Sequence, residues 1–287
     1  MARVEPAVQS GGLLKLYQAL WAPYYQAALN VLGPTGVVLP IGDPHHGQPD
    51  ATAFTTKGEE QVPFTWSEAP SSFDTPLDLT GADNFQGIVP LVTLNGTDEE
   101  AETPDAAYWS PGDGANDSPF SIVSWANVTD TATVRALLSK WGASGSPGDR
   151  EWIFQISALD KLELYAEDES AGVAVRRTGN VAIPMGRWAQ FAVTYDGAGG
   201  AAAMDAVTLY VDGVVFASTA YNDAGYVAME DKAEPVMFAA QRTGGTPSQF
   251  FNGQIAGGPL GPLFARKELS ADEMRALYDL GRAALGL

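Results

Sequence analysis

The stretch VTLYVDGVVFAS, residues 207–218, reads as a strand, a two-residue turn and a returning strand. Val207, Leu209 and Val211 alternate with Thr208, Tyr210 and Asp212, so one face is apolar and the other polar. Asp212-Gly213 then selects a type I′ turn, because both central residues of that turn need positive φ. The same grammar extends in both directions. In RWAQFAVTYDG (187–197), Phe191, Val193 and Tyr195 share one face and Gln190, Ala192 and Thr194 the other. IVPLVTLNGT, FSIVSWANV, ALLSKW, EWIFQIS, KLELYAED, VAVRRTGNVAI and PVMFAAQR have the same short apolar alternation, broken by turns rich in Gly, Asp and Asn. Many short strands with no long helices between them predict an antiparallel sandwich or jelly roll from about residue 87 onward.

Both ends depart from this pattern. Leu13, Leu16, Tyr17, Leu20, Tyr24, Ala28 and Leu32 recur at spacings of three and four, which predicts a helix ended by Gly33-Pro34 and kinked at Pro23. With Trp21 and Tyr25 added, this helix carries more aromatic surface than an exposed helix should. It is read as an arm, residues 1–33, that anchors the chain on other protein subunits through Leu13, Leu16, Tyr17, Leu20, Trp21 and Tyr24. Residues 34–86 are dense in Gly, Pro, Asp and Ser and are read as an extended linker. The third unit is 87–287. It closes with LSADEMRALYDLG, where Ser270 and Glu273 form a capping box and Met274, Leu277 and Tyr278 an apolar stripe: a short C-terminal helix.

Composition narrows the partners. The 287 residues include 16 Lys plus Arg against 35 Asp plus Glu, a formal net charge of −19. From Gly58 to Val134 there are fourteen acidic residues and no Lys or Arg. Such a field repels nucleic acid and anionic membranes and favours cations such as Ca²⁺. With no cysteine, disulfides, thiolate metal sites and a Cys nucleophile are excluded. The first residues, MARVEPAVQSGG, show no secretory leader, and no run approaches the roughly 20 apolar residues of a membrane-spanning helix.

The order of segments resembles a known family. SPFSIVSWANV, EWIFQIS, KLELYAED, IPMGRWAQFAVTYDG, VTLYVDGVVFAST and FFNGQI followed by LSADEMRALY is similar to the running order of laminin-G-like domains in the concanavalin A-like jelly-roll superfamily, over about residues 87–283. The resemblance implies an all-β jelly roll, a fold that serves as lectin, adhesion module, hydrolase scaffold and structural appendage. It also shows a departure: where relatives carry an acidic residue after the Ile of the NGxI strand, this chain has Ala256.

Candidate chemistry follows from residue types. Trp109, Trp141 and Tyr221 lie beside turns, where rings can stack on sugars; Trp125, Trp152 and Trp188 sit inside strands and are read as core. Asp113 and Asp117 in GDGANDS are candidate Ca²⁺ ligands. His45 and His46, adjacent on an extended chain, are poorly placed to share one metal ion. Glu163, Glu167 and Glu169 are the nearest approach to a glycosidase carboxylate set, but the run ends in a turn at Gly172, so no catalytic residue is assigned. The expectation is a non-enzymatic, oligomeric binding or structural module. A helical arm and no leader point to a phage virion component, a capsid decoration or appendage subunit made in the cytoplasm. The alternatives are a glycan-binding adhesion module at the cell surface or outside the cell, with or without Ca²⁺, and a divergent glycoside hydrolase.

Overall fold

The computed structural model describes residues 9–42, 53–58, 60–67, 85–86, 89–129, 132–142 and 149–287. The Asp212-Gly213 hairpin forms as read: Val207–Val211 pairs antiparallel with Val214–Val215, and Asp212 and Gly213 have φ of 53° and 71°. The returning strand is short. By Ser218–Tyr221 the chain has left this sheet and pairs with Val173–Gly179 in the other one, with Phe216 packed on the core between them.

Among the described residues one sheet has ten strands and the other nine, and every pairing is antiparallel. The ten-stranded sheet is centred on Phe120–Val128, which pairs with Trp188–Tyr195 on one side and with Asn252–Ala256 and Leu263–Ala265 on the other. The nine-stranded sheet runs in the order Ser218–Tyr221, Val173–Gly179, Leu162–Asp168, Arg150–Ile156, Arg135–Trp141, Val236–Phe238, Ala101–Thr103, Pro63–Trp66 and Ala53–Thr55. Their facing sides interdigitate in the core. Phe120, Ile122, Phe191, Val193 and Tyr195 come from the first sheet and Leu138, Trp152, Phe154, Leu162 and Leu164 from the second. Phe120, Trp152 and Phe264 stack there with centroids 5.6–6.1 Å apart. Trp125, Trp152 and Trp188 are all buried, as the strand pattern predicts.

The N-terminal helix differs from its reading. It runs unbroken from Gln9 to Leu32 through Pro23, and its buried side chains belong to the sandwich. Trp21, Tyr25, Ala28 and Leu32, spaced four, three and four, pack with Val38, Val123, Ala192 and Leu263 on the outer face of the ten-stranded sheet. Trp21 is 1% exposed, whereas Leu20 is 39% exposed and Tyr24 half-buried. The buried stripe is therefore one position out of phase with Leu20 and Tyr24, because the bulkier Trp21 and Tyr25 take the sheet. The side chains of Leu13, Leu16 and Tyr17 lie outside the described residues. The C-terminal helix, Ala271–Leu285, forms with both arms of its Ser270–Glu273 capping box and shares this face through Met274 and Leu277.

The stretch read as a linker is also part of the sandwich. Gly36–Val38 pairs with Leu263–Ala265, and the hairpin of Ala53–Thr55 with Pro63–Trp66 extends the nine-stranded sheet beside Ala101–Thr103. Phe54, Phe64 and Trp66 enter the core. This also explains the glycines after Ile255. A Cβ on Gly257 would lie 1.9 Å from the Ile41 carbonyl oxygen, and one on Gly261 1.7 Å from that of Leu39. The backbone of residues 39–41 occupies the space that side chains would need.

The layers are thus helices, ten-stranded sheet, core and nine-stranded sheet. Among the described residues no helix lies over one broad sheet face, the outer side of the nine-stranded sheet.

Candidate functional site on the outer face of the nine-stranded sheet

Alternation assigns this face. Leu162, Leu164 and Ala166 of Leu162–Asp168 point into the core, so Glu163, Tyr165 and Glu167 point outward. The register then builds a row across four strands, in which Ile153 is opposite Tyr165, Tyr165 opposite Arg176, and Arg176 opposite Tyr221. Trp141 and Arg150 are partners one step along, offset by the β-bulge after Arg150.

These side chains touch in sequence. Trp141 meets Tyr165 edge-on, with centroids 6.2 Å apart at 73°. Arg150 lies over the Trp141 ring at 5.3 Å and pairs with Glu167 at 3.1 Å. The Arg176 guanidinium sits 5.5 Å from the Tyr165 centroid and 4.4 Å from that of Tyr221, and its Nη1 donates to the Tyr165 hydroxyl at 2.9 Å. Burial, and then the neighbouring Glu163, hold the Tyr165 phenol above its ordinary range, so it stays protonated at neutral pH. Trp141, Tyr165 and Arg176 are half-buried, and Tyr221 is 48% exposed. Rings stiffened by guanidinium contacts, with one side wet, are suited to stacking on flat polar ligands.

The other half of this face is covered. The hairpin of Gln241–Thr243 and Thr246–Ser248 begins over it: the Ser139 hydroxyl donates to the Ala240 carbonyl at 2.8 Å, and Arg242 pairs with Glu102. That hairpin confines the open part to the Trp141–Tyr165–Arg176–Tyr221 end.

The sequence candidates separate on this frame. Trp141 and Tyr221 share the open face. Trp109 does not: it is fully buried, packed edge-on to Phe64 and Tyr108, and its carbonyl accepts from the Trp152 indole at 2.9 Å. It sits at the end of a single helical turn, Ala107–Trp109, that folds the ring inward. Tyr165 and Arg176 were missed by the turn-based reading. The alternation of KLELYAED and VAVRRTGNVAI held the signal, since both residues fall at outward positions of their strands.

The two aspartates are not brought together as metal ligands. The Asp113 carboxylate accepts from the backbone N–H groups of Ala115 and Asn116, which pull its pKa below the ordinary value. Asp117 is buried and accepts from the Tyr195 hydroxyl (2.7 Å), the Tyr226 hydroxyl (2.9 Å) and the Met229 N–H (2.8 Å). Burial raises its pKa, with those three donors acting in the opposite direction. The Asp117 carboxylate is spent on these three donors, whereas calcium needs a shared cage of 6 to 8 oxygens. Among the described residues no group of three or more His, Asp or Glu stands close enough to hold a metal ion. His45 and His46 lie outside the described residues.

Glu163 and Glu167 do not have the spacing of a hydrolytic pair. Glu163 accepts from Thr178 (3.0 Å) and Gln155 (3.1 Å). Four residues along one strand, Glu167 stands roughly 13 Å away, beyond the spacing of either glycosidase geometry. Glu169 is held above its ordinary pKa by burial and then by the neighbouring charge of Glu167.

Comparison with known proteins agrees with this architecture. The model of the concanavalin A-like lectin/glucanases superfamily matches residues 95–257, more than half of the chain. No curated protein sequence matches it. Among solved structures, the binding domain of botulinum neurotoxin DC in complex with SialylT is similar with a TM-score of 0.52 at 8% identity, covering 87% of this chain and 52% of that one. The botulinum neurotoxin serotype G binding domain has a TM-score of 0.49 at 11% identity, covering 87% and 51%. The CBM40 of the Ruminococcus gnavus IT-sialidase bound to alpha2,3-sialyllactose has a TM-score of 0.44 at 17% identity, covering 57% and 84%. This chain therefore spans about half the length of the toxin chains. By its matched segment, its two antiparallel sheets and their shared core, the chain belongs to the concanavalin A-like lectin/glucanases superfamily.

Proposed function

We propose that the protein is a non-catalytic glycan-binding module whose sugar site is the open end of the nine-stranded sheet. The observation that carries this reading is the continuous belt of Trp141, Tyr165, Arg176 and Tyr221 on a sheet face that no helix among the described residues covers. Sugars present flat C–H faces to aromatic rings and hydroxyls to fixed donors and acceptors. The Tyr165 hydroxyl, the Arg150 and Arg176 guanidinia and Glu167 supply the latter. Superfamily membership supports the reading, because lectins are among the functions this fold serves. Proteins of similar fold are described as bound to sialyllactose and to SialylT, but those ligands are theirs; for this chain the argument is its own face. Such a module acts at the cell surface or outside the cell. The virion reading drew on a free arm, and the described part of the helix is not free.

The test is a glycan array probed with the full chain, followed by calorimetric titration of the best ligand. Trp141→Ala and Tyr221→Ala are each expected to weaken binding at least tenfold with little change in melting temperature, since neither ring is part of the core. Retention of no glycan, or equal binding by both variants, overturns the reading.

A further inference from the structure

In a chain with 35 acidic and 16 basic residues, an arginine is surrounded by potential partners. Arg135, Arg150, Arg187, Arg242 and Arg275 each pair with a carboxylate. Arg177 and Arg266 donate to carbonyl and hydroxyl oxygens instead. Among the described residues Arg176, like Arg177, Arg266 and Arg282, makes no ion pair; it stands apart in lying between two tyrosine rings on the open sheet face, where its one hydrogen bond runs from Nη1 to the Tyr165 hydroxyl. It is nonetheless fixed in place. Tyr165 and Tyr221 hold the guanidinium from two sides, at 5.5 and 4.4 Å, and its Nε is buried with no partner. Glu163, the carboxylate whose charge acts on Arg176 from this face, is itself engaged by Thr178 and Gln155.

An immobilised guanidinium has already lost the side-chain entropy that binding would otherwise cost. With Nε buried, its free hydrogens are on Nη1 and Nη2. That end of the fork matches the two oxygens of a carboxylate. The net charge of −19 repels an anion at long range, so only a short, geometrically matched contact gains from this arrangement. From this we propose that Arg176 is a specificity-determining residue that receives the carboxylate of an acidic sugar while Tyr221 and Trp141 stack on the rest of the glycan. The inference rests on the glycan-binding reading and narrows it to carboxyl-bearing glycans.

The experiment uses the full chain against glycans ending in uronic acids and in sialic acids, each intact and as its methyl ester. Esterification removes the charge and keeps the sugar. Intact glycans of one or both classes are expected to bind at least tenfold more tightly than their esters, and the two arms tell which acid is taken. Arg176→Gln is expected to abolish the difference between acid and ester. Arg176→Lys, which keeps the charge without the fork, should restore part of it. Tyr221→Ala should weaken acid and ester together. Equal binding of acid and ester by the unmodified protein, or an acid preference undiminished in Arg176→Gln, overturns the assignment to Arg176 while leaving the glycan site standing. Binding of no glycan of either form overturns the reading beneath it. Melting curves of both arginine variants, expected within about 2 °C of the parent, separate lost recognition from lost fold.

Discussion

At the scale of single residues, the polar groups that the sequence offers as ligands are largely consumed in holding the fold. Asp117 is the clearest case. Asp117→Ala would leave two buried hydroxyls and one N–H without an acceptor, at about 1–3 kcal/mol for each unsatisfied group. A loss on the order of 3 kcal/mol, read as a fall in melting temperature of roughly 6 to 12 °C, is expected, with Asn substituting better than Ala. By the same argument millimolar Ca²⁺ against excess chelator should leave the melting temperature unchanged; a rise of 5 °C or more, abolished by Asp113→Ala, contradicts it. Lys140 and Glu151 are a second buried constellation. The ammonium group pairs with Glu151 and with Asp105 at 2.9 Å, while Glu151 also accepts from the Lys232 N–H at 2.8 Å. Burial pushes Glu151 up to about 7, against the pull of Lys140. A carboxyl whose folded value is raised binds its proton more tightly in the folded state. Its contribution is full below the unfolded value near 4.5 and is lost as pH rises through about 7. The stability of the parent relative to Glu151→Gln is therefore expected to fall between pH 5 and 8 in denaturant titrations; a flat or rising difference contradicts this. None of these partners was legible in the sequence, because Asp117 and Met229, or Lys140 and Lys232, meet only across the fold. Trp109 misled for a related reason: proximity to a loop does not say which way a ring turns.

At the scale of elements, legibility followed length and locality. The strands Phe120–Val128, Arg150–Ile156, Leu162–Asp168 and Trp188–Tyr195 alternate over seven to nine residues, and each is where the alternation places it. The Asp212-Gly213 turn and the Ser270–Glu273 capping box are local chemistry and were equally plain. Gly36–Val38 and Ala53–Thr55 are three residues each and have little pattern of their own. Gly36–Val38 exists because Leu263–Ala265 lies alongside, more than two hundred residues away in sequence. The helix Gln9–Leu32 was legible as a helix but not in its destination. Its apolar residues surround enough of the circumference that spacing alone does not choose between Leu20 with Tyr24 and Trp21 with Tyr25. Trp21→Ala should settle the matter in solution. Removing an indole this deeply buried costs about 3–5 kcal/mol, whereas Leu20→Ala should cost less than about 1 kcal/mol. Equal effects in urea denaturation would place the helix elsewhere.

At the scale of the whole molecule, the helix and the strands of residues 36–66 decide whether the sandwich is closed. The sequence divides the chain into arm, linker and domain; the packing joins them. Trp21, Tyr25, Leu32, Val37, Val38, Leu39, Ile41, Phe54, Phe64 and Trp66 are all buried, on both sides of the ten-stranded sheet and along the edge of the nine-stranded one. Each such side chain contributes about 1.5–3 kcal/mol when fully buried, before the entropy of ordering the segment is subtracted, so losing them is a large change for the sandwich. A fragment of residues 87–287 keeps most of the segment matched to the superfamily but exposes the sheet face beneath the helix. It also opens Ala101–Thr103 as an unpaired edge where Pro63–Trp66 had covered it. Such a fragment is expected to aggregate, or to elute as an oligomer and melt without a cooperative transition, when compared with the full chain by size-exclusion chromatography and calorimetry. A monomeric fragment melting cooperatively within about 5 °C of the full chain contradicts this. In that event the N-terminal residues would be a dispensable cover, and the uncovered sheet face a second surface available for partners. With the cover in place, the part of the nine-stranded sheet's outer face left open by the hairpin of residues 241–248 is, among the described residues, where the aromatic–guanidinium belt lies.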